Sequence, residues 1–211
     1  MSGVKKALVL VVVAGLAGLA ACTQEPPDVA YARRIAAERA RKDEFFASGS
    51  SDSPIKPADQ AKFLPISYFD IDPAYAAPAT LRLLDERTRL VMPTSTGKLR
   101  DMERVGFLEF TLKGQPQKLT AFSEAGQTVS RLFVPFSDLT SGTETYQAGR
   151  YMDIDPQTSG VYVVDFNNAY HPYCYYNSDY DCPFPPAENR LKVPIRAGER
   201  LRAADALAPG R

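Results

Sequence analysis

The sequence predicts a mainly β protein: a single antiparallel β-barrel or sandwich-like domain that follows a signal peptide and an N-terminal α-helix. Three observations carry this expectation. After Pro65, short runs rich in β-branched and aromatic residues alternate with Gly, Pro, Asp and Ser at hairpin spacing. No helical periodicity separates those runs, which excludes strand–helix alternation and favours a barrel or sandwich. Residues 29–46 contain Ala, Arg, Glu and Lys but no Gly or Pro, a composition that favours helix. With 45% hydrophobic and 10% aromatic residues, the chain can build one globular core.

The first element is the leader. Lys5 and Lys6 precede an apolar run from Ala7 to Ala21 that ends in Leu19-Ala20-Ala21-Cys22. This is a secretory signal with a bacterial lipobox, and the run is shorter than the roughly 20 residues a membrane span needs. Residues 1–21 are therefore expected to be removed, Cys22 to be acylated, and residues 22–28 to tether the protein to the membrane. Several acyl chains on one residue supply stable anchoring. Thr23 rather than Asp after the cysteine points to the periplasmic face of the outer membrane. Loss of the two leader lysines leaves 23 basic against 25 acidic side chains, without the basic excess of a nucleic-acid binder.

The helix is expected over 29–48, with Asp28 as N-cap and Glu38–Lys42 as an i,i+4 ion pair. Its five basic residues (Arg33, Arg34, Arg39, Arg41 and Lys42) suit either anionic headgroups beside the anchor or a solvated face. One or two further helical turns are expected in 56–64. The β-rich domain spans 58–200, with strands near 79–84, 88–93, 98–113, 117–123, 130–136, 149–154, 160–166 and 191–196. Turn signals at Asp85-Glu86, Ser95-Thr96-Gly97, Lys113-Gly114, Glu124-Ala125-Gly126 and Thr158-Ser159-Gly160 separate them. The nearly all-apolar run 161–166 predicts a central strand covered on both faces. Residues 201–211 read as a frayed tail.

Three blocks in the second half carry a resemblance. They run from Phe136-Ser137-Asp138-Leu139-Thr140 through Gly149-Arg150-Tyr151, from Asp165-Phe166-Asn167 through Cys174, and from Cys182 through Glu199. Together they resemble the bacterial domain-of-unknown-function family 1684, in which the second block reads D-F-N-x-A-Y-N-P-x-C. Here His171 stands where that pattern has Asn. The resemblance implies no activity, so the candidate residues are read from their chemistry.

Cys174 and Cys182 are expected to form a disulfide, since an oxidising envelope favours pairing of the cysteines left after lipidation of Cys22. A loop of this length contributes about 2.5–3 kcal/mol. A metal site using His171 with Asp179 or Asp181 is the rival, but structural zinc prefers tighter cysteine pairs. No metal or cofactor motif is present. The candidate binding set is Asp138, Thr140, Tyr146, Arg150, Asp165, Asn167, Tyr170, His171, Glu188 and Asn189. Arg150 sits among apolar neighbours and needs a carboxylate partner from Asp138, Asp165 or Glu188. The set reads either as an ion-paired network locking loops or as a pocket mouth. The tyrosines at 170, 173, 175, 176 and 180 suit stacking on a sugar or peptide, or closure of one end of the domain.

The function expected is thus a non-catalytic envelope lipoprotein that binds a small molecule, glycan or protein partner. An envelope hydrolase using Arg150 and nearby carboxylates, or a structural assembly component, are the alternatives.

Overall fold

Six antiparallel strands form one sheet in the order β5-β4-β3-β2-β1-β6, curled into a half-barrel. The computed structural model describes residues 26–129, 131–155, 157 and 161–202. The expected signal peptide, Cys22, residues 23–25 of the tether, the 158–160 turn and most of the tail lie outside the described residues.

Helix α1 (Pro27–Ala47) starts on a proline at its first position, where the missing N–H costs nothing. Asp28 lies in the first turn and does not cap the helix, although its charge still favours that end of the dipole. Glu38 pairs with Arg34 at 2.9 Å and not with Lys42. Lys42 instead reaches Glu199 at 2.6 Å, and Arg39 donates to the Phe69 carbonyl at 2.9 Å. With Arg34 also 3.7 Å from Asp165, three of the five helix cations dock α1 on the domain. Phe46 joins Ile55, Phe63, Ile66 and Tyr176 in a small apolar cluster. That cluster ties α1 to the short helices α2 (Gln60–Phe63) and α3 (Tyr173–Tyr176).

Strand β1 (Ala76–Pro93) joins the two strands expected at 79–84 and 88–93. The Asp85-Glu86 signal produces a bulge and not a turn. Pairing with β2 (Leu99–Leu112) breaks off at Leu83 opposite Gly106 and resumes at Thr88 opposite Arg104. A Cβ at Gly106 would lie 2.5 Å from the Arg82 carbonyl oxygen, so the close approach at the bulge needs glycine. Lys113 and Gly114, both at positive φ (47° and 80°), turn β2 into β3 (Gln115–Glu124). This is the mirror-image turn that matches strand twist.

Strands β4 (Leu132–Phe136), β5 (Arg150–Ile154) and β6 (Val161–Asp165) complete the sheet. Two expectations are corrected here. β6 is an edge strand and not a central one: Tyr162 and Val164 enter the core while Val161 and Val163 are exposed. Segment 191–196 is not a strand, because Asp138 and Arg150 take the backbone groups of Ile195 that a neighbouring strand would otherwise use. Leu191, Ile195 and Ala197 still reach the main core.

The strand alternation places the site. Leu132, Val134, Phe136, Met152 and Ile154 point into the main core. Phe133, Tyr151 and Asp153, offset by one residue, face the other side of the sheet. There the segment 170–183 lies across them: the Tyr170 and Tyr151 backbones pair, and Thr94 bridges Pro183.

Candidate functional site

The predicted residues separate into a buried lock, a surface pair and one wall residue of a cleft. Arg150 is the centre of the lock and is fully buried. One terminal nitrogen donates to Asp138 Oδ2 at 2.9 Å and to the Ile195 carbonyl at 2.7 Å. The other donates to the carbonyls of Ala197 and Glu199. Burial lowers the guanidinium's affinity for its proton, and Asp138 restores part of it. Asp138 Oδ1 also accepts from the Thr140 amide, the Thr140 hydroxyl and the Ile195 amide. Gly198 lies between two of the carbonyls that hold Arg150. Its φ of 77° and a would-be Cβ 2.4 Å from the Ala169 oxygen leave room only for glycine.

Asn189, also fully buried, bonds both backbone groups of Thr120 and the Pro135 carbonyl, clamping the segment to β3 and β4. Asn167 bridges the Asp72 backbone amide and carbonyl. Asp165 accepts the Tyr31 hydroxyl at 2.8 Å, tying α1 to the end of β6. Glu188 does not meet Arg150; it pairs with Arg104 at the surface, 2.9 Å away. Of the three partners considered for Arg150, the structure selects Asp138.

His171 is buried, and its ring nitrogen Nε2 accepts from the Tyr146 amide at 3.3 Å. Burial pulls its pKa down to about 3, against the pull of Glu199. Glu199 itself was not singled out from the sequence, although it ends the third motif block. Its buried carboxylate accepts from Lys42, the His171 amide and the Tyr176 hydroxyl at 2.6, 2.6 and 2.7 Å. Burial raises this carboxyl, but Lys42 and the hydrogen bonds outweigh it and hold the group below the usual range. A carboxylate so fully partnered stays ionised.

Cys174 and Cys182 are adjacent free thiols. The Cys174 amide donates to Cys182 Sγ at 3.2 Å. The hydrogen bond from the Cys182 side chain brings the Cys174 thiol down to about 7. Tyr146, half-buried beside them, is pushed up to about 12 by burial and by Cys174. Among the described residues no group of three or more His, Cys, Asp and Glu is arranged to hold a metal ion.

The open site lies on the other side of the 170–183 segment. A cleft of about 750 Å³ separates it from the β2–β5 face, with α1 at one end, within the volume range of small-molecule sites. Phe133, Tyr151, Tyr170, Tyr173 and Tyr180 supply aromatic wall. Their rings pack edge to face: Phe133 on Tyr151, Tyr151 on Tyr170, Tyr173 on Tyr180. The Tyr170 hydroxyl donates to Asp153 at 2.8 Å, and the Lys42 ammonium lies 4.7 Å over its ring. Of the predicted set, Tyr170 alone is on this wall. Arg100, Arg131, Asp153 and Ser123 escaped sequence reading because they are spread over separate strands. The tyrosines divide, with 170, 173 and 180 on the cleft. Tyr175 instead packs on His171 and Phe63, and Tyr176 is buried.

A family model described as a protein of unknown function (DUF1684) matches residues 61–200. A solution NMR structure of an uncharacterized protein from Haloarcula marismortui is similar, with a TM-score of 0.64 and 36% identity. The match covers 82% of this chain and 95% of that one. No curated protein matches.

Proposed function

The chain belongs to the DUF1684 family of proteins of unknown function, and we propose that this member is a non-catalytic ligand-binding lipoprotein of the cell envelope. In this reading an acylated Cys22 holds it at the periplasmic face of the outer membrane. The observation that carries the binding role is the aromatic cleft between the 170–183 segment and the β2–β5 face. It is concave, walled by five rings, and rimmed by polar groups from three strands and α1. The hydrolase alternative loses its residues: Arg150 and His171 are sealed inside the fold with every nearby carboxylate engaged in structural bonds. A general base must reach its substrate, and neither can.

The test is amide chemical-shift mapping of the 22–211 chain against a panel of envelope metabolites and glycans. Shifts are expected along 170–183, at Arg131–Phe133 and at Tyr151–Asp153, with Asp138 and Arg150 unmoved. A bound ligand that shifts 138–146 and leaves the cleft silent overturns this assignment.

Anchoring is tested separately. Wild type expressed in a Gram-negative host should take up labelled palmitate and sediment with membranes, and Cys22→Ser should do neither. A Cys22→Ser protein that keeps the label refutes the lipobox reading. In the exported wild type, Cys174 and Cys182 are expected to be joined, so a thiol reagent applied without reductant should label neither.

A further inference from the structure

We propose that the cleft is a saccharide site that takes a neutral pyranose ring, or a short run of such rings, from an envelope glycan. This rests on the binding reading above and names its ligand class. A pyranose offers an apolar C–H face and a rim of hydroxyls. It therefore needs an aromatic platform flanked by groups that accept and donate in one plane, and the cleft provides both. Tyr173 and Tyr180 are half-buried rings on one wall, beside Tyr170, whose face Lys42 covers; they are amphipathic surfaces suited to an apolar face with a wet edge. Asp153, Glu124 and Asp181 place carboxylates on the same cleft; each accepts a bond within the protein, from Tyr170, Gln127 and Thr96, and keeps lone pairs for a further hydroxyl.

Charge disfavours the competing classes. Lys42, Arg100 and Arg131 oppose Glu124, Asp153 and Asp181 along the wall, so the lining is neutral in sum. Each cation is already engaged: Lys42 with Glu199 at 2.6 Å, Arg100 with Asp181 at 3.4 Å, Arg131 with Asp155 at 3.0 Å. An anion would compete with those carboxylates for each cation. A quaternary ammonium would seek the tyrosine faces, but Lys42 already lies over Tyr170 and repels it. A neutral polyol meets neither obstacle.

The experiment is titration of glucose, N-acetylglucosamine and their β1→4-linked dimers into the isotope-labelled 22–211 chain. Choline and inorganic phosphate serve as the cationic and anionic probes. At least one neutral sugar is expected to shift Ser123, Asp153 and Tyr170–Asp181 saturably. Tyr180→Ala should weaken that sugar about tenfold, and Tyr180→Phe should retain it, because stacking needs the ring and not the hydroxyl. An unchanged wild-type-like spectrum outside 173–182 shows that both variants fold. If choline or phosphate shifts these residues and no sugar does, the saccharide assignment is overturned while the cleft remains a binding site. If none of the probes moves the cleft, or sugars shift only residues elsewhere, the saccharide assignment falls, and the wider panel titration decides the binding reading separately.

Discussion

Replacing Arg150 by alanine is expected to lower the unfolding free energy by about 3–5 kcal/mol. The guanidinium is fully buried and serves four acceptors: Asp138 and the carbonyls of Ile195, Ala197 and Glu199. Its loss leaves Asp138 Oδ2 and three carbonyls without their donor in the interior, and each unmet group carries its own desolvation cost. For a domain of this size the Tm should fall on the order of 10 °C. Arg150→Lys should recover only part of the loss, because a point charge cannot span acceptors that the planar guanidinium reaches at once. The double variant Arg150→Met/Asp138→Asn should be more stable than Arg150→Ala, since no charge is then stranded and the Asn oxygen can still accept from Thr140 and Ile195. Urea unfolding of the three variants measures this. A loss under about 1 kcal/mol for Arg150→Ala would show that the 195–199 segment does not depend on the lock.

Acid should destabilise the protein from about pH 6.5 downward, well above the range in which ordinary carboxylates titrate. His171 has a folded pKa near 3 against 6.5 for a free imidazole, because burial disfavours the charged ring. The folded state thus binds fewer protons than the unfolded chain. The contribution is complete above pH 6.5 and is lost as pH falls towards 3, with a limiting slope of about 1.4 kcal/mol per pH unit. Glu199, whose folded pKa is depressed, adds a loss of the same sign that begins only near its free-chain value of 4.5. The two are separable. Between pH 6.5 and 4.5 the slope belongs to His171 alone of this pair, and His171→Asn should flatten it. Equal slopes for wild type and variant across that interval would mean that His171 is not held neutral.

Much of the chain was legible before any contact was known. The Lys113-Gly114 turn, the 98–113 strand and the 29–46 helix follow from local rules, since turn conformation and hydrophobic period depend on neighbours in sequence. The motif blocks likewise singled out Asp138, Thr140, Arg150, Asn167 and Asn189, which all serve one buried framework. Their role was not legible. Whether an Arg lies in a pocket mouth or at the centre of a lock depends on what covers it, and the covering segment 195–199 lies 45 to 49 residues away. The mistaken strand at 191–196 has the same origin: its apolar alternation is real, but Arg150 and Asp138 take the backbone groups that a neighbouring strand would have used. The apolar run 161–166 misled because composition cannot tell an edge strand from a central one.

What the sequence determined by itself is therefore the class of fold, the helix ahead of it, the family, and which polar residues matter. These rest on interactions between residues near one another in the chain or on patterns repeated along it. The cleft was decided only by tertiary structure. Lys42 comes from α1, Arg100 from β2, Ser123 from β3, Phe133 from β4, Asp153 from β5 and Tyr180 from the loop beyond β6. Each is unremarked in its own stretch, and they become a site only because sheet curvature and the lock around Arg150 bring those segments together.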